Sequence, residues 1–305
     1  MEQRTGTAEM EKEATAVPVE DDPSTPTGLL LRFWQWQFAG PLGRVDQEAQ
    51  ATMASEAGRA ADRKVIIVLL TVALCLTTLR YIRMGDLLAQ GLSLVATVTG
   101  SSNLTSWSER VEQAAHTPIG HLFFWCLGCL LTYLVIPILV VRLFLRERLQ
   151  DYGLKLQGAF AGFWLYALML LVMLPLVYLV SADHHFQQTY PFYPLSSGEA
   201  LWPTFWCWEV LYAMQFFALE FFFRGFILHG TRHRFGVHAV FVMMVPYCMI
   251  HFQKPVQEAF ASIVAGIVLG FMSLKTRSIW MGAVLHVSVA LSMDFASLYR
   301  KGFFG

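Results

Sequence analysis

Charge is scarce in this chain. Only 14% of its 305 residues are Asp, Glu, Lys or Arg, against roughly 25% in a soluble globular domain. The shortage deepens past the N-terminus. Residues 1–64 hold 18 charged side chains, and the other 241 residues hold 26. Neither sign is in excess, with 22 basic and 22 acidic residues. This balance excludes an ordinary soluble two-domain enzyme, an acidic disordered protein and a nucleic-acid binder.

Cysteine is also sparse. Cys75, Cys126, Cys129, Cys207 and Cys248 all lie in apolar runs. Cys126 and Cys129 have redox or metal spacing but no second pair, so they read as small apolar filler. A basic stretch leading into a short apolar core is missing at the N-terminus, so no cleaved signal peptide is expected. The usual hydrolytic signatures are missing too: His-Glu-x-x-His, Gly-x-Ser-x-Gly and a phosphate-cradling glycine loop.

What remains is apolar. The chain is 55% hydrophobic with a mean hydropathy of +0.48. Seven segments are long and apolar enough to be transmembrane helices: roughly 65–82, 119–141, 158–181, 202–228, 237–252, 258–274 and 278–297. The expected fold is all-α, a polytopic membrane protein with about seven transmembrane helices in one bundle. Three regions are expected. Residues 1–60 form a polar, largely disordered tail (Glu/Thr/Pro-rich to residue 27) with a short aromatic segment at 29–38, suited either to the membrane interface or to a local turn. Residues 61–199 supply the first membrane helices, and residues 200–300 a core that carries the chemistry.

Loop Lys and Arg set the orientation. Arg59, Arg63 and Lys64 precede the first span. Arg142, Arg146, Arg148 and Lys155 follow the second, Arg232 and Arg234 the fourth, and Lys275 and Arg277 the sixth. Seven crossings put these on one side, with 182–199, free of Lys and Arg, on the other. The N-terminus is therefore expected inside, at the cytoplasmic face, and the C-terminus outside. Arg80, Arg83, Arg300 and Lys301 are exceptions. The pairs Gly158/Gly162 and Gly266/Gly270 offer smooth helix faces, best suited to internal packing. Asn103-Leu-Thr is a formal glycosylation sequon in an expected outside loop.

Ionisable groups inside spans cost on the order of 2.5–3.5 kcal/mol each on insertion scales. Three clusters carry them, all after residue 215. Glu220 and Arg224 stand one helical turn apart and can pair. His251 follows Tyr247 by one turn, ahead of the helix break at Lys254-Pro255 and of Glu258. His286 lies well inside the last span, with Asp294 eight residues on. One carboxylate and two imidazoles on three different spans suit water activation. They can do so as ligands of a divalent metal such as zinc. They can also do so without metal, Glu as general base and His polarising a carbonyl.

At these motifs the sequence resembles a known family. Glu220-x-x-x-Arg224-Gly225-Phe226, then Tyr247-x-x-x-His251-Phe252, then Thr276-Arg277-Ser278-Ile279-Trp280 leading to His286, resemble the CAAX prenyl protease 2 / bacteriocin-processing (CPBP, ABI) family of intramembrane proteases. The resemblance covers about residues 200–297. It implies a membrane-embedded endopeptidase acting on a membrane-associated protein or peptide, with the site below the cytoplasmic surface. It implies Glu220, Arg224, His251 and His286 as catalytic residues, with Glu220, His251 and His286 as candidate metal ligands. Two positions depart from the family pattern. Leu219 stands where the first of two adjacent Glu is usual, and Ala290 where an Asn or another small residue is usual. Glu220 taking over as base fits these departures, with Ser288, Asp294 or Tyr247 as the oxyanion partner. A degenerate member that binds a membrane protein without cleaving it fits them also. A transporter lined by buried ionisable groups is a third reading, though no repeat halves are visible.

Overall fold

The computed structural model describes residues 26–55, 58–195 and 198–304. Two compact units are distinguished, Met1–Pro41 and Leu42–Gly305. The tail expected to be disordered lies outside the described residues up to residue 25. In the first unit α1 (Pro26–Trp34) runs into a π-helical turn, Gln35–Ala39. The aromatic segment at 29–38 is therefore helical, with Leu30, Trp34 and Trp36 exposed.

The second unit is built of helices joined by turns and loops, and no strand occurs among the described residues. After α2 (Gly40–Ala54) come α3 (Gly58–Tyr81), α4 (Met84–Thr99), α5 (Ser102–Ala115) and α6 (Pro118–Leu130). The last continues through a π-helical turn (Leu131–Val135), α7 (Ile136–Leu139) and another π-helical turn (Val140–Leu145). Then follow α8 (Phe163–Val180), α9 (His184–Thr189) and α10 (Thr204–Glu220). A π-helical turn, Phe221–Ile227, joins α10 to α11 (Leu228–Phe235). The chain closes with α12 (Ala239–Met249), α13 (Val256–Thr276) and α14 (Trp280–Arg300).

Local chemistry sets the helix starts. Thr117 caps α6 by accepting the Gly120 amide at 3.1 Å, with Pro118 in the first turn. Asp183 caps α9 by accepting the amides of His185 and Phe186. The expected outside loop that carries the sequon is a helical hairpin instead. α4 and α5 pack together, and the Ser108 hydroxyl donates to the Ala89 carbonyl at 2.8 Å. The expected third span begins later than residue 158. Gly158 and Gly162 have φ of +77° and +76° and lie before α8, so they form turns and no helix face. Gly266 and Gly270 do lie on a helix, α13, and both face α12.

Among the described residues six helical runs, where seven were expected, are long and apolar enough to cross a membrane. The expected fourth and fifth segments fall in one run, Thr204–Met249. Its most apolar stretch is 72% buried, against 17–39% in the other five runs, so it forms the centre of the bundle. The outer helices turn Leu, Val and Phe outward, including Leu171, Leu179 and Val264. Apolar outward faces on spanning helices are what a lipid environment requires. The chain is an integral, multi-pass membrane protein. α12 has 11 residues, about 16 Å of helix at 1.5 Å per residue, too short to cross a bilayer alone.

The central run reverses at Gly236, whose φ of 56° and ψ of −134° suit glycine alone. The reversal packs α12 against α11 and the π-helical turn. A Cβ on Gly236 would lie 2.0 Å from Asp46 Oδ1, the atom that accepts the Val237 amide at 2.8 Å. Gly236→Ala is expected to destabilise the protein by about 1–3 kcal/mol. A fall in Tm in detergent checks this, and an unchanged Tm would refute the role given to this turn.

Polar ties gather the helix ends near this reversal. Lys64 pairs with Glu147 at 2.7 Å, Arg277 with Glu48 at 2.8 Å and Arg234 with Asp62 at 2.7 Å. The Ile279 amide donates to the Gly153 carbonyl at 3.0 Å, which pins the start of α14. The apolar core is centred on the π-helical turn Phe221–Ile227, every residue of which is buried. Phe222 packs on Tyr133 of α6's continuation, with ring centroids 4.7 Å apart, and Phe223 on Tyr247 of α12 at 5.2 Å.

Candidate active site

Glu220 ends α10 and Arg224 lies one turn on, inside the π-helical turn. Such turns insert one residue into the helical ladder and recur at functional sites. Here the turn leaves Arg224 Nη1 2.9 Å from Glu220 Oε1. The two side chains are 0% and 1% exposed, so the pair is fully withdrawn from solvent. A buried ion pair contributes little net stability, but removing one partner strands the other.

His286 reaches the same carboxylate from α14. Its Nδ1 donates to Glu220 Oε1 at 2.7 Å. His286 is the seventh residue of α14, about 9 Å along the axis from the first, which places the contact well inside the bundle. Phe216, one turn before Glu220, backs the imidazole at a centroid distance of 4.6 Å. Glu220 Oε1 thus accepts two bonds, while Oε2 has no protein partner. That oxygen faces Gly282 of α14, where a Cβ would lie 3.2 Å away.

Tyr247 joins the remaining residue to this pair. The Arg224 guanidinium lies over its ring, 3.9 Å from the centroid. His286 meets the same ring at 6.4 Å and His251 at 4.8 Å, both edge-on. His251 makes no direct bond to Glu220 or His286. Its Nδ1 donates to the Tyr247 carbonyl at 2.8 Å, one turn back, which fixes the ring and turns Nε2 away from its own backbone. Burial pushes the His251 imidazole down to about 4, and the charges of His286, Lys254 and Arg224 push the same way. The ring is therefore neutral at pH 7, with an acceptor lone pair on Nε2.

The residues expected from the sequence thus divide. Glu220, Arg224 and His286 are in direct contact, and His251 is held one ring away. Of the expected oxyanion partners, Ser288 is half-buried, and its hydroxyl donates to the Val284 carbonyl on its own helix. Asp294 accepts the Phe192 amide at 3.2 Å, two turns beyond His286. Tyr247 alone borders the site. Leu219 and Ala290 are buried in apolar clusters, so neither position offers a polar group from elsewhere. Sequence reasoning missed Gly282, which has no chemical signature. It also missed Glu209, a buried carboxylate in a Trp-rich span.

The fit to a divalent metal is poor. Glu220 and His286 bond each other through Oε1 and Nδ1, and a guanidinium presses on the same carboxylate. Among the described residues, no group of three or more His, Cys, Asp and Glu could hold a metal ion. The donor set therefore does not suit zinc.

The family model described as type II CAAX prenyl endopeptidase Rce1-like matches residues 201–292. Over residues 201–292 the chain is similar to that family. The match contains Glu220, Arg224, His251 and His286, and it bears out the resemblance read from the motifs. At the level of the family it supports a CAAX-protease-like intramembrane endopeptidase. No curated protein and no solved structure matches the chain.

Proposed function

We propose that this protein is an intramembrane endopeptidase that hydrolyses a peptide bond in a membrane-associated protein or peptide. One observation carries the reading: a fully buried carboxylate, held through Oε1 by Arg224 and His286, keeps Oε2 without a partner beside Gly282. In the proposed reaction Glu220 Oε2 takes a proton from water as the water oxygen attacks the scissile carbonyl carbon. The unpartnered Arg224 N–H groups stabilise the developing oxyanion, while His286 holds Glu220 Oε1 in place through Nδ1. The carbon–nitrogen bond then breaks, and the proton on Glu220 passes to the leaving amine. His251, neutral, accepts a hydrogen bond from the water at Nε2 and orients it. Basic residues cluster where Lys64, Arg232 and Arg277 stand, so we assign that end and the N-terminus to the cytoplasmic side.

The test is cleavage of a co-expressed membrane-anchored substrate by the wild type, compared with His251→Ala and His286→Ala. Loss of cleavage in both variants supports the reading, and full activity in either removes that residue from the mechanism. Chelator treatment of the purified protein is expected to leave cleavage unchanged. Loss of activity on chelation, restored by a divalent ion, would contradict the metal-free mechanism. Gly282→Ala is expected to cut the cleavage rate by roughly 10–100-fold through crowding of Oε2, with Tm nearly unchanged. An undiminished rate would show that Oε2 is not the working atom. Leu219 and Ala290 favour a second reading, a non-cleaving member that binds a membrane protein. It requires an inactive wild type whose partner survives the His variants.

A further inference from the structure

Lys254 takes no part in the proposed reaction, yet this lysine is held more closely than its place in a turn requires. It lies in the six-residue connection 250–255 between α12 and α13, which also carries His251. Its amide donates to the His251 carbonyl at 3.0 Å and closes the turn. Its ammonium leaves the turn and donates to the Tyr190 hydroxyl at 3.0 Å. It lies over the rings of Phe192 and Tyr190, 4.4 and 4.9 Å from their centroids. The Tyr190 hydroxyl donates in turn to Glu258 at 2.7 Å.

The segment Tyr190–Phe192 is itself fastened to the other histidine helix. The Tyr190 carbonyl accepts from Lys301 Nζ at 2.6 Å and from the Ser297 hydroxyl. The Phe192 amide donates to Asp294 at 3.2 Å. Asp294 and Ser297 belong to α14, and Lys301 follows it directly. One short strap thus connects the turn that carries His251 to the helix that carries His286. The partners are 64 and 111 residues apart in sequence, so local structure does not impose the connection.

We propose that Lys254 and Tyr190 are positioning residues that set the placement of His251 against the Glu220–His286 pair. The proposal rests on the endopeptidase reading for its catalytic consequence and on the strap alone for its structural one. Aromatic rings and a hydroxyl hold the ammonium by cation–π contact and hydrogen bonding, with the Glu258 carboxylate 3.8 Å away. A methionine in its place would fill similar volume with neither interaction. The turn would then be tied to the strap only through Glu258 at the start of α13.

The experiment compares wild type, Lys254→Met, Lys254→Arg, Tyr190→Phe and the double variant Lys254→Met/Tyr190→Phe. Hydrogen exchange of the peptide spanning 250–255 is measured in detergent, with kcat and KM on the membrane-anchored substrate. Lys254→Met is expected to speed exchange of 250–255 by at least about tenfold while α3 and α6 exchange as before. The same variant is expected to lower kcat by at least about tenfold with KM within about twofold, because misplacement affects the reacting geometry more than binding. Lys254→Arg should recover part of both effects. Tyr190→Phe should reproduce them, and the double variant should add nothing further. Unchanged exchange at 250–255, a rise spread over all helices, or additive effects in the double variant would each overturn the proposal. A wild type that cleaves nothing defeats the endopeptidase reading, and exchange in the single and double variants still decides the strap.

Discussion

Glu220→Gln is expected to lower the rate of peptide cleavage by on the order of 10³-fold while the protein stays folded. General-base catalysis by a positioned side chain contributes about 10²–10⁴-fold, and the amide cannot take the proton from water. The substitution is nearly isosteric. The amide oxygen can still accept from Arg224 Nη1 and His286 Nδ1, the two bonds that hold Oε1 in place. What changes is charge, which leaves the guanidinium buried without its counter-ion at some cost in stability. Cleavage of a reporter in proteoliposomes, measured beside the Tm, separates the two effects. A slow but folded variant supports the base role. A folded variant with the wild-type rate would move that role to another residue, with His251 the next in reach.

Arg224→Met should have the largest effect on stability. The arginine is 1% exposed and compensates a carboxylate that is 0% exposed. Methionine leaves Glu220 charged and paired only to His286, in a setting where an unpaired charge costs about 3–5 kcal/mol. The guanidinium also packs on the Tyr247 ring at 3.9 Å, so its loss loosens the contact that brings α12 to the site. Expected outcomes are a much lower Tm, or poor recovery from the membrane, together with loss of cleavage. The double variant Arg224→Met/Glu220→Leu removes both charges. It should recover most of the stability and none of the activity, since well-packed apolar replacements of a buried pair are often neutral. A double variant as unstable as the single would show that Arg224 acts by packing and not by charge.

The membrane class was legible in composition, because a chain this poor in charge has few other folds open to it. The Glu220–Arg224 contact followed from helical spacing, and the depth of His286 from its place in the last span. The convergence of His286 on Glu220 was suggested by residue type alone, since no local pattern joins positions 66 residues apart. The π-helical turn at Phe221–Ile227 was invisible. A period of 3.6 is assumed when faces are read from sequence, and Phe-Phe-Phe-Arg-Gly-Phe-Ile carries no mark of the longer ladder. The α4–α5 hairpin carries no span signal in the sequence because α4, though apolar, has only 16 residues and α5 is polar. Its helical character comes from caps and from packing between the two helices. The fifth span failed on length: α12 ends after 11 residues, and the chain continues as the turn that holds His251. Glu209 could have been found, for the filter that selected Glu220 applies equally to a carboxylate beside Trp206 and Trp208.

The most direct test of the central claim is hydrolysis itself, followed in water enriched in oxygen-18. Purified wild-type protein in proteoliposomes, with chelator present, is given a membrane-anchored peptide, and the products are weighed by mass spectrometry. The expected result is a single cut with one oxygen-18 in the new carboxylate, and no product from Glu220→Gln. Product in equal yield from Glu220→Gln, or no cut of any membrane-anchored peptide by the wild type, would contradict the claim that Glu220 activates water in this site.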